Sequence, residues 1–247
     1  MSEDFLIGRN PVLEALRTER DINKIFMGEN AVKGSAGQIA QLAKERGVSV
    51  QVVPNRKLDQ MSEGNHQGVI AQVAAYQYAE VDDILKLAQE RNEQPFIMIL
   101  DELEDPHNLG SIMRTADAAG AHGIIIPKRR SVGLTATVAK ASTGAIEHIP
   151  VARVTNLART IEELKEKGLW IAGTDAKGAD DYRNLDGTMP IGLVIGSEGK
   201  GMGRLIREKC DFLVKLPMAG RITSLNASVA ASLLMYEVYR KRHPLGE

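Results

Sequence analysis

Five runs of apolar residues beyond residue 95 constrain the fold of this chain more than any other feature of its sequence. Each run has four or five residues and lacks the alternation of a half-exposed strand, which is typical of parallel strands covered on both faces. The runs are Phe96–Leu100, Gly123–Ile126, Leu169–Ala172, Ile191–Ile195 and Phe212–Leu216. Helical patterns at about 109–119, 157–167 and 227–240 alternate with them. We therefore predict an α/β domain with a parallel sheet over residues 96–247.

The first 75 residues predict a smaller α/β unit. Residues 8–17 favour a helix with Asn10 as its N-cap and Pro11 at its first position, where no amide donor is needed. Strands are predicted at 24–27, 48–53 and 69–73, with a helix over about 36–46 that ends at Gly47. Strands and helices thus alternate within a length that suffices for one small domain.

Charge is spread evenly along most of the chain. The formal net charge of the 247 residues is −1, so no overall excess of basic residues indicates a nucleic-acid partner, and any contact with RNA has to be local. With 43% apolar and 26% charged residues, the composition is that of a globular protein that buries a core. Residues 76–95 are acidic and polar, with a thin apolar face on one possible helix. We interpret them as a linker between two domains.

Cysteine and histidine usage excludes several kinds of site. The single cysteine, Cys210, rules out an internal disulfide and a multi-cysteine metal site, and we expect it to be a small buried side chain. The five histidines lack ligand spacing and no Gly-x-Ser-x-Gly segment is present, so we expect neither a metal nor a serine nucleophile. The chain has no export-signal pattern and no apolar stretch of roughly 20 residues, the length of a membrane span. We expect a cytoplasmic protein without membrane contact.

Ligands of open α/β sheets lie beyond the carboxyl ends of the strands, and three loops there carry unusual residues. The first follows Phe96–Leu100 and runs into a helix, for which Asn108 is the expected N-cap and Gly120 the residue past the end. Arg114 interrupts the small residues of this helix. It is either a functional cation or a solvated surface arginine, and His107 in the preceding turn is expected to be solvated.

The second loop follows Ile191–Ile195 and contains Glu198 among four glycines. These stand at 196, 199, 201 and 203. Glycines permit a tight bend or a close approach of the backbone to a ligand, and both interpretations stay open. The glycine order does not match the dinucleotide fingerprint, and Lys200 is followed by Gly201 rather than by the Ser or Thr of a phosphate loop.

The third loop follows Phe212–Leu216 and leads into the last predicted helix. It brings Gly220, Ser224 and Asn226 together in a short stretch. Ser224 or Asn226 would serve as an ordinary N-cap. Alternatively, several small donors and acceptors in one loop could recognise a polar small molecule.

These three segments, in this order, resemble the three motifs of the SpoU/TrmH family of RNA ribose 2′-O-methyltransferases, within the SPOUT superfamily. The resemblance rests on Asn108 with Arg114 six residues later, on Gly196-Ser-Glu-Gly-Lys-Gly-Met, and on Leu216-Pro-Met with Ser224-Leu-Asn226-Ala-Ser228. The segments Gly8-x-Asn10-Pro-Val-x-Glu14-Ala-Leu and His66-Gln67-Gly68 are similar to that family's ribosomal-protein-like RNA-binding module. The layout most resembles the branch that methylates a guanosine of large-subunit (23S) rRNA.

The resemblance implies a C-terminal domain with a deep trefoil knot, S-adenosylmethionine as cofactor, RNA as partner, and a homodimer with active sites at the subunit interface. Thr174, Gly196, Leu216 and Leu225 are then expected to contact the cofactor. Arg9, Asn10, the turn Gly64–Gly68 and the basic cluster Lys128-Arg129-Arg130 are expected to contact RNA.

Catalytic roles follow from the same resemblance. Arg114 would either take the hydroxyl proton or stabilise the developing oxyanion, and the high pKa of guanidinium favours the second role. The orienting groups would be Asn108, Glu198, Ser224 and Asn226. Three alternatives stay open: a nicotinamide-dependent oxidoreductase, a non-catalytic RNA-binding protein, and the same methyl transfer directed to tRNA or to an antibiotic-binding rRNA loop.

Overall fold

The computed structural model describes residues 5–18, 20–31, 35–62, 64–74, 76–176 and 180–246. The chain divides into two compact units. The first consists of Met1–Gln77 with Gly133–Ala136, and the second of Tyr78–Val132 with Thr137–Glu247.

The first unit is a four-stranded sheet with helices on both faces. Its elements are β1 Phe5–Ile7, α1 Arg9–Arg17, β2 Ile22–Gly28, α2 Ser35–Glu45, β3 Val50–Val53, α3 Asn55–Met61 and β4 Val69–Val73. The strand order is β1-β4-β2-β3, with β2 and β3 parallel and the other neighbours antiparallel. Leu16 of α1 and Ile39 of α2 pack with Ile25 on one face, while Leu58 of α3 packs with Ile70 on the other. The predicted small α/β unit is confirmed, with β1 and α3 as elements that the sequence analysis missed.

The start of α1 differs from the prediction. The N-cap is Gly8, not Asn10, and Pro11 is the third helical residue rather than the first. Gly8 has φ of 97°, a conformation that favours glycine. The first helical amide, that of Arg9, donates to Oε1 of Gln67 at 3.4 Å. The helix is therefore capped by a side chain from a distant turn, which local sequence rules cannot detect.

The second unit is built on a seven-stranded sheet. Its elements are α4 Val81–Glu90, β5 Phe96–Leu100, α5 Pro106–Ala118, β6 Gly123–Pro127, α6 Ala136–Ser142, β7 Val151–Val154, α7 Leu157–Glu166, β8 Trp170–Thr174, β9 Asp180–Asp181, β10 Ile191–Ile195, α8 Arg204–Lys209, β11 Phe212–Lys215 and α9 Ala227–Arg242. The strand order is β7-β6-β5-β10-β8-β11-β9, and every neighbouring pair is parallel. The α/β fold with a parallel sheet is confirmed. The trefoil knot stays a prediction.

Strands β5 and β10 form the centre of this sheet. Phe96–Leu100 lies opposite Ile191–Ile195, residue for residue, and all of these residues are buried. On one face, Ile97 and Ile99 pack with Ile161 of α7. On the other face, Arg242 of α9 lies 5.4 Å from the centre of the Phe96 ring. Helices therefore cover both faces of the sheet, as continuous apolar strands require.

The acidic stretch interpreted as a linker contains a regular helix. α4 starts with a capping box in which Glu80 and Asp83 each accept a hydrogen bond from the other's backbone amide. Ile84 and Ala88 are fully buried, and Ile84 joins the core of the second unit. Gly123 makes room for it, since a Cβ at this position would lie 2.6 Å from Ile84 side-chain atoms. Most of residues 76–95 is therefore part of the second unit rather than a free connector.

No helix in the described ranges is long and apolar enough to cross a membrane.

Cys210 is half-buried rather than fully buried, and burial raises the pKa of its thiol to about 12. It packs where a Cβ on Gly173 would come within 2.7 Å of its sulfur. Cys210 is thus an unreactive packing residue.

Candidate functional site

Three loops of the second unit lie where β5, β8, β10 and β11 end. Because these strands are parallel neighbours, their carboxyl ends share one edge of the sheet. Residues 101–105 follow β5, the glycine loop (residues 196–203) follows β10, and the final loop (residues 216–226) follows β11. Thr174 is the last residue of β8. The structure thus brings the three sequence-predicted loops together.

The glycine loop folds back on itself. The amide of Ser197 donates to the carbonyl of Gly201 at 3.1 Å, and the amide of Gly201 donates to the carbonyl of Ser197 at 2.9 Å. A Cβ at Gly196 would lie 2.2 Å from the backbone of Gly201, and Gly199 and Gly201 have φ of 82° and 70°. These three glycines are therefore required by the turn itself. Glu198, at the tip of the loop, is exposed.

Asn226 joins the glycine loop to the last helix. Its Oδ1 accepts hydrogen bonds from the amides of Ser228 (2.9 Å) and Val229 (3.4 Å), so it is the N-cap of α9, as one of the two sequence alternatives predicted. Its Nδ2 donates to Oε1 of Glu198 at 2.9 Å. Ser224, the other candidate cap, is exposed and does not cap the helix. Of the predicted orienting groups, Glu198 and Asn226 are therefore bonded to each other.

The backbone of the final loop has no partner within the described ranges. In residues 217–225, no backbone amide or carbonyl forms a hydrogen bond with another described residue. Backbone polar groups usually find a partner in protein, water or ligand. Leu216 and Leu225 are half-buried at the two ends of this stretch, and Thr174 at the neighbouring strand end donates to the carbonyl of Val194 at 3.3 Å. The loop therefore offers a row of donors and acceptors to a polar ligand.

Helix α5 carries Asn108 and Arg114 in different environments. The N-cap is Asp105, whose carboxylate accepts from the amide of His107 at 2.8 Å, so the prediction that Asn108 caps the helix was wrong. Pro106 occupies the first helical position, where its fixed φ suits the helix. Asn108 is only 5% exposed. Arg114 is exposed and forms no hydrogen bond or ion pair within the described part of the chain, so neither Glu198 nor Asn226 is bonded to it.

Asp101 is a residue of this edge that the sequence analysis missed. It directly follows β5 and is 6% exposed. Its Oδ2 accepts a hydrogen bond from the amide of Gly203 at 2.7 Å, and its own amide donates to the carbonyl of Ile195 at 2.8 Å. Burial raises the pKa of its carboxyl above the ordinary value, although the bond from Gly203 opposes this shift. An acidic residue directly after a fully apolar strand was the available signal.

The first unit contains a second cluster of predicted residues. Nε of Arg9 donates to the carbonyl of Gln67 at 3.0 Å, which brings Arg9 to the predicted turn. Within that turn, Nδ1 of His66 accepts from the amide of Gly68 at 2.9 Å, so Nε2 carries the proton and donates to Asp59 at 2.9 Å. Asn10, the residue after Arg9 and the second of α1, is exposed. Of the predicted RNA-contacting residues of this unit, Arg9 is therefore bonded to the predicted turn.

The basic cluster Lys128-Arg129-Arg130 is partly neutralised, since Arg130 forms an ion pair with Glu102 at 2.6 Å. Only Arg129 and Arg130 of the three are exposed.

In the described ranges, no three His, Cys, Asp or Glu side chains come together in a way that could hold a metal ion.

Helix α9 exposes an apolar stripe. Val229, Leu233 and Tyr236 are 47%, 42% and 50% exposed, and Tyr239 is 38% exposed one turn further on. The first three residues also line a pocket of about 280 Å³ between α5 and α9. The hydroxyl of Thr115 on α5 lies 3.1 Å from that of Ser232 on α9 and ties the two helices together. Large apolar side chains exposed in one stripe are typical of a surface that another molecule covers.

Comparison with protein families matches both halves of the chain. The SpoU rRNA Methylase family matches residues 95–236, and the family described as RNA 2′-O ribose methyltransferase substrate binding matches residues 5–79. YacO of Bacillus subtilis (strain 168), assigned to the TrmH family of tRNA/rRNA methyltransferases, is 72% identical over 99% of this chain and 98% of its own. A protein of Staphylococcus aureus (strain MSSA476) with the same assignment is 58% identical over the full length of both chains.

Solved structures show the same fold. The SpoU methyltransferase AviRb from Streptomyces viridochromogenes, in complex with S-adenosylmethionine, has a TM-score of 0.62 and 26% sequence identity, over 96% of this chain and 90% of that chain. An S-adenosylmethionine-bound rRNA methyltransferase from Sinorhizobium meliloti has a TM-score of 0.60 and 28% identity, over 96% and 87% of the two chains.

Proposed function

The chain belongs to the SpoU/TrmH family of S-adenosylmethionine-dependent RNA methyltransferases, and on that premise we propose that its acceptor is a ribose 2′-hydroxyl, that of a guanosine in large-subunit (23S) rRNA. The membership and the S-adenosylmethionine-bound structural relatives make a nicotinamide-dependent oxidoreductase untenable. A chain that modifies ribosomal RNA would act in the cytoplasm, where ribosomes are assembled.

One observation carries the proposal: Glu198 and Asn226 are bonded beside a loop whose backbone groups have no partner among the residues that the structure describes. The adenosine part of the cofactor has a planar base and a ribose that together carry several donors and acceptors, which suits the backbone groups of residues 217–225 that lack partners in the described part of the chain. Thr174, Gly196, Leu216 and Leu225 would hold the cofactor at the ends of β8, β10 and β11. The cofactor supplies an electrophilic methyl group on a positively charged sulfur.

The protein's own residues would act on the acceptor oxygen. Negative charge develops on the ribose oxygen as it attacks, and a nearby cation stabilises it. Arg114 is a candidate because its guanidinium is exposed and without partners in the described part of the chain. Guanidinium holds its proton, so we assign it electrostatic stabilisation and binding of an adjacent phosphate rather than proton removal. Asn108, Glu198, Ser224 and Asn226 would orient the substrate and the loops around it.

RNA would be held by the first unit. Arg9 is bonded to the turn 64–68, Asn10 follows it in α1, and this unit matches a family of RNA substrate-binding domains. The turn is stabilised by His66, which is bonded to Gly68 on one side and to Asp59 on the other. A fixed turn with exposed polar groups suits recognition of a folded RNA segment.

We further propose that the chain is a homodimer that buries the apolar stripe of α9. Val229, Leu233 and Tyr236 are spaced so that a second helix could pack along them. Covering this face would place the partner near α5, the helix that carries Arg114. The Arg114 guanidinium, which has no partner in the part of the chain that the structure describes, is consistent with an active site completed by two subunits.

Mapping of ribose methylation tests the proposed acceptor. Ribosomal and transfer RNA from cells with and without the chain would be compared by mass spectrometry, and purified protein would be given each RNA with labelled S-adenosylmethionine. We expect one guanosine of 23S rRNA to lose its 2′-O-methyl group in cells without the chain. The relatives' assignment to tRNA/rRNA methyltransferases makes tRNA the second candidate. Loss of a methyl group from tRNA alone would move the proposal to that substrate.

A further inference from the structure

We propose that Asp101 is a positioning residue that holds the glycine loop in the shape that binds the methyl donor. The inference rests on the proposed function only in taking this loop as part of the donor site. Asp101 is not expected to touch substrate or cofactor, because its carboxylate is buried beneath the loop and bonded to it.

Asp101 is bonded to both ends of the glycine loop. Its backbone amide donates to Ile195, the residue before the loop begins, and its carboxylate accepts from Gly203, the residue where the loop ends. The pair between Ser197 and Gly201 closes the middle of the loop. Without the carboxylate, the chain after Gly201 would lose its bond to the sheet. The position of Glu198 would then depend on the internal turn and on Asn226 alone.

Gly203 itself is needed for its amide rather than for its lack of a side chain. Its φ is −59°, which any residue adopts, and it is the N-cap of α8. A Cβ at this position would lie 3.4 Å from Oδ2 of Asp101, an ordinary contact. This differs from Gly196, where a Cβ would collide with the backbone of the loop. The hydrogen bond is therefore the specific requirement at this end of the loop.

Asp101 also links the two halves of the site. It opens the segment that leads into α5 with Asn108 and Arg114, while its carboxylate is bonded to the loop that carries Glu198. One side chain thus fixes the donor loop relative to the start of the helix that bears the proposed catalytic cation.

The test compares Asp101→Ala with Asp101→Asn in the full-length protein. Asparagine keeps an oxygen that can accept from Gly203, and alanine does not. We expect Asp101→Ala to raise the Kd and KM for S-adenosylmethionine about tenfold, as for one lost charged hydrogen bond, and Asp101→Asn to stay within about twofold of wild type. The kcat at saturating donor should change less than the KM.

Asp211 provides a matched control for a purely structural effect. Its Oδ2 accepts from the amide of Ile171 at 2.9 Å, so it also bonds a carboxylate to the backbone, but at the amino ends of β8 and β11. Asp211→Ala should lower the Tm and leave the donor KM unchanged. The inference is wrong if Asp101→Ala behaves like Asp211→Ala, that is, if it lowers the Tm and leaves the donor KM unchanged.

A second pair of variants tests the bond from the other side. Gly203→Ala keeps the amide, and Gly203→Pro removes it at a backbone φ that proline tolerates. We expect only the proline variant to weaken donor binding, and equal binding by both variants would overturn the inference. Donor binding is first measured on the wild-type protein by calorimetry. No binding there would contradict the proposed function as well, whereas wild-type binding that Asp101→Ala leaves unchanged would contradict the role of Asp101 alone.

Discussion

The side-chain amide of Asn226 donates to the carboxylate of Glu198 at 2.9 Å, while its oxygen caps α9. One residue therefore couples the start of the last helix to the tip of the glycine loop. The two groups of the amide have separate tasks, and substitution can remove one of them without the other.

Asn226→Asp should disable the site without unfolding the helix. Aspartate caps a helix as well as asparagine does, but it would place a second carboxylate against Glu198. We expect methyl transfer to fall about tenfold or more and helix stability to change by no more than about 0.5 kcal/mol. The double variant Asn226→Asp with Glu198→Gln restores the hydrogen bond in the opposite direction, because the glutamine amide at position 198 can donate to the aspartate at position 226. Single-turnover rates should recover in the double variant, and a double variant as slow as Asn226→Asp would argue against the pairing.

Arg114→Ala should separate catalysis from folding and donor binding. The side chain is exposed and has no partner among the described residues, so we expect the free energy of unfolding to change by less than about 0.5 kcal/mol. The rate of RNA methylation should fall about 100-fold or more, as when a group that stabilises an oxyanion is removed. Arg159, exposed on α7, provides the control, and Arg159→Ala should methylate RNA at the wild-type rate.

Arg114→Lys distinguishes the two roles of this residue. A stabilising cation can be replaced in part by lysine, which is charged at neutral pH. We expect partial activity that does not rise between pH 7 and 9. A rate that increases steeply with pH in this variant, following deprotonation of the lysine, would instead indicate proton removal by this side chain.

Asn10→Glu should weaken RNA binding and spare donor binding. The acidic side chain would face phosphates on the proposed RNA surface, and in the first turn of α1 it is compatible with the helix dipole. We expect the RNA affinity to fall about tenfold at low salt. Gln38→Glu places the same charge in the first turn of α2 and should leave RNA affinity unchanged. Filter binding of labelled rRNA fragments measures both, and equal losses would show a general charge effect.

Leu233→Asp should separate the proposed dimer into folded monomers. Leu233 is 42% exposed at the centre of the α9 stripe, and a carboxylate there would be buried without a partner in a dimer. We expect the dimer Kd to rise about 100-fold or more. Leu205 is 56% exposed on α8, and Leu205→Asp should leave the oligomeric state unchanged. Analytical ultracentrifugation measures both, and a wild-type protein that sediments as a monomer would exclude this interface.

His122 should make the protein less stable below neutral pH. Burial lowers the pKa of this imidazole below its ordinary value, with Glu93 opposing the shift, and Nδ1 accepts from the amide of Phe96 at 3.0 Å. The unfolded chain therefore binds more protons than the folded one, so stability is present above the ordinary pKa of about 6.5 and is lost as the pH falls. Asparagine can replace the acceptor without titrating. The Tm of the wild type should drop more between pH 7.5 and 5.5 than that of His122→Asn, and parallel Tm curves would contradict this.

The strands were predictable where burial on both faces leaves only apolar residues. Phe96–Leu100 and Ile191–Ile195 have the bounds that their apolar runs predicted. The missed strand Val151–Val154 lies at the sheet edge, where half-exposed residues such as Arg153 interrupt the pattern. The N-cap of α5 was misplaced because Asp105 and Asn108 are both good caps, and only Pro106 distinguishes them.

The candidate site was predictable to the extent that its chemistry is local. Asn226 as a cap lies within three residues of the amides that it binds. Its bond to Glu198 and the bond of Asp101 to Gly203 join segments far apart in the chain, and no spacing rule specifies them. The resemblance to a family directed attention to Glu198. For Asp101 the sequence offers one signal only, the apolar run that precedes it.

The pairing of β5 with β10 determines the order in which the chain can fold during its synthesis. Residues 101–190 separate the two strands, so β5 and β6 can pair while β5 still has an open edge. That edge is a fully apolar strand, the kind that aggregates with other chains if it stays open. The nascent second unit is thus exposed to misassembly until residue 195 has left the ribosome. The last strand of the first unit ends at Val73, so all strands of that unit are synthesised more than a hundred residues earlier.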